Sequence, residues 1–357
     1  MATPTDPTVT SSTTSGGPTR RDLLRAGALG LISLPVGALA GGVLTGAEGG
    51  SGNAAQPPAG GPAAAVLTNP LDAYPKPPYP KQSQPWPGLA SQMNPRPDHG
   101  EHSYRGSGRL LGRKALITGG DSGMGRAAAI AFAREGADVA FGYLPAEESD
   151  AREVVALIRA AGRTAVPLPG DIRDEAFCMR LVSDAVTQLG GLDLLVNNAG
   201  RQQARTALQD LSTDDFDATF KTNVYAMFWI TKAALAHLPA GAAIINTASE
   251  QAFDPSSFLV DYAQTKACIV SFTKSMAKQL APRGIRVNAV APGPVWTALQ
   301  PSGGQPPEQL PEFGAKTPLK RAGQPAELAG TYVLLAVSDS SFTTAQIYGV
   351  TGGNVII

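Results

Sequence analysis

Tyr262 and Lys266 stand four residues apart in Asp261-Tyr-Ala-Gln-Thr-Lys-Ala267. That is one helical turn, so a helix there projects both side chains from a single face. A phenol at its reference pKa of about 10 is a poor base at neutral pH, but an ammonium beside it favours the phenolate and brings the hydroxyl toward acid/base work. Lys266 is placed to supply that charge. Taken alone, the pair reads as well as a helix face carrying a solvated lysine. Upstream, however, Ala243-Ile-Ile-Asn-Thr-Ala-Ser249 has the pattern of a buried strand that ends in a hydroxyl. Open α/β sheets collect their ligand groups at such strand ends, so Ser249, Tyr262 and Lys266 are expected to converge.

A serine followed at this distance by Tyr-x-x-x-Lys resembles the short-chain dehydrogenase/reductase family. Its other motifs are present and in order from about Gly112 to Ile357. Lys114-Ala-Leu-Ile-Thr118 predicts a first buried strand, followed by Gly119-Gly-Asp-Ser-Gly-Met-Gly125 and a helical run from Arg126. Glycines between strand and helix permit positive φ and close backbone approach, and the free N–H groups of the helix start suit a pyrophosphate. Gly119, Ser122, Gly123, Met124 and Gly125 are the candidate phosphate-loop residues, in the spacing Thr-Gly-x-x-x-Gly-x-Gly that the family uses.

Asp138–Tyr143 predicts the second strand, whose end reads the adenosine ribose. An acid there favours NAD and a base NADP; Gly142, Tyr143 and Leu144 supply neither. The missing acid leans to NADP, whereas Glu147 and Glu148 nearby disfavour an extra phosphate, so NADP and NAD both stay open. Asp171 and Ile172 close the third strand; the resemblance puts them at the adenine, while Asp171 also reads as a cap for the helix near Asp174. Leu192-Asp-Leu-Leu-Val-Asn-Asn-Ala-Gly200 predicts the fourth strand, and by resemblance Asn198, Ala199 and Gly200 contact the nucleotide.

Phe216–Phe228 has the spacing of one long buried helix with Asn223 inside it, an amide that needs hydrogen-bond partners. The resemblance makes Asn223 the holder of a water linking Lys266 to solvent, completing an Asn-Ser-Tyr-Lys tetrad. It also implies that Ser249 and Tyr262 meet a substrate carbonyl oxygen, while Lys266 holds the nicotinamide ribose and lowers the Tyr262 pKa. Arg286–Thr297 predicts the next strand and its exit loop, where Pro292, Gly293, Val295 and Thr297 match the family's nicotinamide-carboxamide grip. Residues 298–317 look like a mobile lid over the substrate, and Tyr348-Gly-Val-Thr-Gly-Gly353 like the last strand. Glu250, directly after Ser249, either faces solvent or favours a hydroxylated substrate.

The fold these elements imply is α/β: a Rossmann-type, doubly wound parallel sheet of about seven strands with helices on both faces. One domain, 112–357, is long enough to hold it. Before it the chain changes character. Residues 1–47, with Arg20-Arg21 ahead of a glycine-containing apolar run, look like a twin-arginine export signal, with an uncleaved membrane anchor as the alternative. Residues 48–70 read as a flexible Gly/Ala/Pro linker, and 71–111 as an extended Pro-rich arm that carries Tyr74, Tyr79, Trp86 and Met93 as anchors. The arm with its Gln84-Pro-Trp-Pro-Gly88 signature, the Gly-Gly-Asp-Ser-Gly loop and the Tyr143-Leu-Pro145 segment look closest to the bacterial oxidoreductases grouped with glucose/ribitol-type dehydrogenases and NADP-dependent aldehyde reductases.

Composition excludes other classes. Formal charge is zero and no basic cluster interleaves with aromatics, so a nucleic-acid partner is not expected. Three histidines, two of them His99 and His102 in the arm, argue against a metal or triad site. Cys178 and Cys268 match no zinc spacing and are expected in the core. The sequence therefore predicts an exported NAD(P)-dependent oxidoreductase on a small carbonyl or alcohol substrate, forming a homo-oligomer, dimer or tetramer, as the family commonly does. The rival readings are a catalytically idle dinucleotide-binding protein and a tethered structural protein.

Overall fold

The computed structural model describes residues 67–356. The export-signal segment 1–47 and residues 48–66 of the linker lie outside the described residues. Seven strands form one parallel sheet: β1 (Lys114–Thr118), β2 (Asp138–Tyr143), β3 (Ala165–Pro169), β4 (Leu194–Asn197), β5 (Ala243–Thr247), β6 (Arg286–Pro292) and β7 (Ile347–Val350). Their order is β3-β2-β1-β4-β5-β6-β7. The chain winds outward from β1 in one direction and then from β4 in the other, leaving a crevice at the carboxyl ends of β1 and β4.

Both faces of this sheet are covered, which is why β4, β5 and β6 are buried almost without a break and not at alternate positions, with Asn197 and Asn246 hydrogen-bonded to each other inside. One face packs on α1 (Gly123–Arg134), α2 (Glu148–Ala160) and α7 (Pro325–Ala336), the other on α3 (Glu175–Leu189), α5 (Ala226–Ala234) and α6 (Val260–Leu280). Phe132, Phe141 and Leu194 are fully buried in the first layer, each burial contributing about 1.5–3 kcal/mol.

Two details depart from the sequence expectation. The run expected as one long helix is α4 (Thr213–Phe220), a π turn over Lys221–Tyr225, and then α5. The wide turn falls where Asn223 donates to the Arg201 carbonyl and to Thr265 Oγ1, both at 2.9 Å, and accepts from the Arg201 amide at 2.7 Å. Periodicity sees apolar spacing and not this pull. Of the two cysteines, Cys178 is buried in α3 but Cys268 is exposed on the outer side of α6, so its expected place in the core is corrected.

From Leu71 to Leu111 the chain has no regular structure beyond a short 3-10 turn at Ala90–Gln92. It is fixed by side chains instead. Tyr79 stacks on Trp296 with centroids 4.1 Å apart, Trp296 Nε1 donates to the Pro95 carbonyl at 2.8 Å, and Ala90 N donates to Asp150 Oδ2 at 2.6 Å. Glu135 gathers Tyr104, Ser107 and Arg109 just before Leu110 enters the core. This segment also grips residues 298–317, since Gln84 N bonds the Pro301 carbonyl and Tyr79 N the Pro311 carbonyl. The expected lid is thus one layer of a two-layer cover whose other layer is the arm.

Candidate active site

The crevice between β1 and β4 begins at the glycine loop. Gly119 and Gly123 have φ of +65° and +54°, and a Cβ on Gly125 would stand 2.0 Å from the Gly119 carbonyl oxygen and 2.5 Å from Asn198 Nδ2. Only glycine permits that approach. Ser122 is the N-cap of α1 but its hydroxyl caps nothing, so the first N–H groups of the helix remain directed at the cleft with a positive helix end behind them. These residues fit a dinucleotide's pyrophosphate.

Asn198 knits the loop to the sheet. Its backbone N–H donates to Thr118 Oγ1 at 2.9 Å and its Nδ2 to the Thr118 and Gly119 carbonyls. Asn198, Ala199 and Gly200 all line the cleft. At its far end Asp171 and Ile172 form part of the wall. Asp171 does not cap α3: its carboxylate holds Arg173 in a bidentate pair, which keeps it below the usual range despite partial burial, while Asp174 takes the cap from Ala176 N. Trp86 of the arm, with Arg173 and Arg201 guanidiniums 5.8 and 6.0 Å from its ring, joins Pro87 and Gly88 in the same wall. The Gln-Pro-Trp-Pro-Gly signature marked this piece of chain, but nothing local said that it reaches the crevice.

At the other end Tyr262 and Lys266 enter from α6 and Ser249 from the end of β5. All three are nearly buried. Lys266 Nζ donates to the Thr247 carbonyl at 2.7 Å and lies 5.3 Å from the Tyr262 ring centroid. Ser249, N-cap of a 3-10 turn, accepts from Gln251 N at 3.2 Å, and its hydroxyl is near enough to the Tyr262 phenol to act on its pKa. Asn223 stands behind them, its Oδ1 and Lys266 Nζ both within 4 Å of a Cβ built on Gly200. Its two N–H groups are already used on Arg201 and Thr265, which leaves only a second lone pair on Oδ1 for a water.

Electrostatics here reverse one expectation. Burial pushes the Tyr262 phenol up to about 12, against a smaller lowering by Ser249, and burial pushes the Lys266 ammonium down to about 7. The phenol is thus raised and not lowered in this structure, with its desolvation the largest cause and the Glu250 charge adding to it. Pro292, Gly293 and Val295 border an adjoining cavity shared with Ser249 and Glu250, not the glycine-loop end, whereas Met124, Thr297 and Tyr262 border both. Glu250 accepts from Asn354 Nδ2 at 2.9 Å, and burial raises its carboxyl.

A parallel sheet reversing at β1 and β4, a glycine-lined helix start, and a Ser-Tyr-Lys cluster at the strand ends define a Rossmann-type oxidoreductase. The sequence profile of the family described as Enoyl-(Acyl carrier protein) reductase matches residues 119–354. The chain is 40% identical to a carrot (Daucus carota) glucose and ribitol dehydrogenase over 285 residues, covering 78% of this chain and 97% of that one. It is 41% identical to the chloroplastic NADPH-dependent aldehyde reductase 1 of Arabidopsis thaliana over 276 residues, covering 76% of this chain and 96% of that one. Among solved structures, a short chain dehydrogenase from Burkholderia cenocepacia J2315 in complex with NADP superposes with a TM-score of 0.64 at 35% identity, covering 69% and 98%. The chain belongs to the short-chain dehydrogenase/reductase family. The carrot protein's match takes in more of the chain than residues 112–357 supply, so part of the Pro-rich arm is shared with it.

Proposed function

We propose that the protein interconverts a carbonyl and an alcohol in a small molecule, using NADP(H), with Tyr262 as acid and base. The observation that carries this reading is the meeting of Ser249, Tyr262 and Lys266 where the glycine-lined cleft opens into the second cavity. When bound, the nicotinamide supplies or takes up the hydride. The Ser249 hydroxyl donates a hydrogen bond to the substrate oxygen, and Tyr262 gives that oxygen its proton in reduction and removes it in oxidation. Lys266 holds the nicotinamide ribose, and Asn223 fixes the Arg201 backbone and Thr265 behind it. The NADP complex of the Burkholderia protein and the NADPH dependence named for the Arabidopsis relative support NADP(H) over NAD(H). Glu250 at the cavity rim favours a substrate with hydroxyls.

The test is direct. Purified protein is expected to oxidise NADPH with some member of a panel of aldehydes, ketones and aldoses, and nucleotide copurifying with it is expected to have the mass of NADP. Binding without turnover of any substrate points to the idle dinucleotide-binding protein; no nucleotide binding at all defeats the redox reading.

Export by residues 1–47 is part of the same proposal, and Arg20-Arg21 ahead of the apolar run supports it. In a host with a twin-arginine pathway, Arg20→Lys with Arg21→Lys is expected to hold the protein inside the cell. An unchanged distribution between cell fractions counts against a twin-arginine signal.

A further inference from the structure

The cavity at Ser249 and Tyr262 shares part of its wall with another. Gln300, Gln305 and Glu308 border both, and the second cavity measures about 480 Å³, inside the about 300–1,000 Å³ range of small-molecule sites. Three stretches far apart in sequence build it: the arm at 82–86, the chain after β4 at 203–206 with Asp210, and the lid at 300–310. Hydrogen bonds tie them together. Gln84 N donates to the Pro301 carbonyl at 3.0 Å, Ala204 N to the Gly303 carbonyl at 2.7 Å, and Gln203 Nε2 to the Ser302 carbonyl at 3.0 Å. Neither the phosphate loop nor the Ser-Tyr-Lys cluster uses this space.

Its lining suits hydroxyl groups. Gln82, Gln84, Gln203, Gln300 and Gln305 all face it, and an amide can both donate and accept, as a hydroxyl does. Gln84 bonds the Leu89 backbone in both directions, at 3.1 and 2.7 Å. That closes Pro85-Trp-Pro-Gly88 into a turn and sets Trp86 in the wall. An aromatic face among amides matches a sugar ring, which has an apolar C–H face and a polar rim.

Gln300 adds an independent sign of a ligand. It is 7% exposed, and its Oε1 is buried without a hydrogen-bond partner. An amide oxygen left so costs stability unless a donor reaches it. The charges in the wall narrow the class of donor. Among the described residues lining the second cavity Arg205 is the one cation, and it is paired with Asp215 at 2.9 Å, while Asp210 and Glu308 bring negative charge. A phosphate or carboxylate is therefore disfavoured, and a neutral ligand is not.

We propose that the second cavity is a subsite for a neutral sugar unit, so that the substrate is a disaccharide or glycoside whose reacting ring meets Ser249 and Tyr262 while its other ring lies against Trp86 and Gln300. A hydroxyl of that second ring donates to Gln300 Oε1. The arm thereby becomes part of the substrate site. This rests on the carbonyl/alcohol reading above and narrows its substrate.

The test compares D-glucose with maltose, cellobiose and lactose, which share a reducing glucose ring and differ in the ring attached to it. Oxidation moves the hydride on C1 to NADP+ and the C1 hydroxyl proton to Tyr262, leaving a lactone, so NADPH formation reads every sugar alike. With the full protein, at least one disaccharide is expected to exceed glucose about tenfold in kcat/KM, the gain lying in KM. Thr206→Trp, at an exposed edge of the second cavity alone, is expected to erase that gain and leave glucose turnover within about twofold. Gln300→Leu is expected to lower the disaccharide about tenfold more than glucose.

Disaccharides no better than glucose, or a Thr206→Trp protein that loses both alike while its Kd for NADPH holds, overturn the subsite and leave the redox reading standing. If no carbonyl or alcohol turns over with either nucleotide, it is the redox reading that fails. Calorimetric titration with methyl α-maltoside, which has no hemiacetal to oxidise, then decides the subsite separately. Binding at least about tenfold tighter to the natural protein than to Thr206→Trp upholds it, and equal or absent binding overturns it.

Discussion

Tyr262→Phe is expected to lower kcat for carbonyl reduction by about 10³-fold while the Kd for NADPH moves by less than about threefold. The change removes one oxygen and keeps the ring, so the packing of α6 and the position of Lys266 over that ring persist. What disappears is the proton that the proposed mechanism delivers to the substrate oxygen. The phenol is pushed up to about 12 by burial, so it holds its proton at neutral pH and is poised as an acid in reduction. Alcohol oxidation needs the phenolate, and its rate is expected to climb with pH for the same reason. Steady-state rates paired with a fluorescence titration of NADPH separate the two effects. Retained turnover in the variant sinks the assignment of Tyr262, whatever the nucleotide affinity.

Lys266→Met is expected to cost about 10²-fold in kcat/KM for the nucleotide and yet to raise Tm by at least about 2 °C near pH 6. The ammonium is 3% exposed and donates to a single carbonyl, that of Thr247. Burial depresses it to about 7 from 10.5. Below about 7 both folded and unfolded chains carry the charge, and the folded state bears the full desolvation cost. Between about 7 and 10.5 the unfolded chain binds the proton that the folded chain has released, so stability rises with pH through that window. Function runs the opposite way: kcat/KM reports the free enzyme, and its nucleotide term is expected to fall as pH rises through about 7 in the natural protein and to be flat in the variant. A variant with unchanged pH dependence removes Lys266 from the nucleotide site.

Much of this molecule was legible in one dimension. The strand runs at Lys114, Asp138, Ala165, Leu192, Ala243, Arg286 and Tyr348 all lie in the sheet, because the central strands, buried on both faces, are rich in apolar residues and stand out along the chain. The glycine loop was readable for a related reason, since its positive φ values and the contact of Gly125 with Gly119 are satisfied within seven residues of chain, 119 to 125. Tyr262 and Lys266 share a helix face by spacing alone. What spacing missed was local competition. The π turn at Asn223 comes from hydrogen bonds to Arg201 and Thr265, and Asp174, not Asp171, won the cap of α3.

The sequence by itself determined the order of the strands' apolar runs, the glycine turn and the residue types that meet the reacting atoms, because each is written in neighbours along the chain. Only the tertiary structure decided that Trp86 closes the crevice, that Asp121 and Glu147 share one wall of it, and that the phenol of Tyr262 is raised while the ammonium of Lys266 is depressed. Burial is a sum over atoms brought in from distant parts of the chain, so neither a desolvation cost nor the meeting of an arm with a cleft has a signature at any single position.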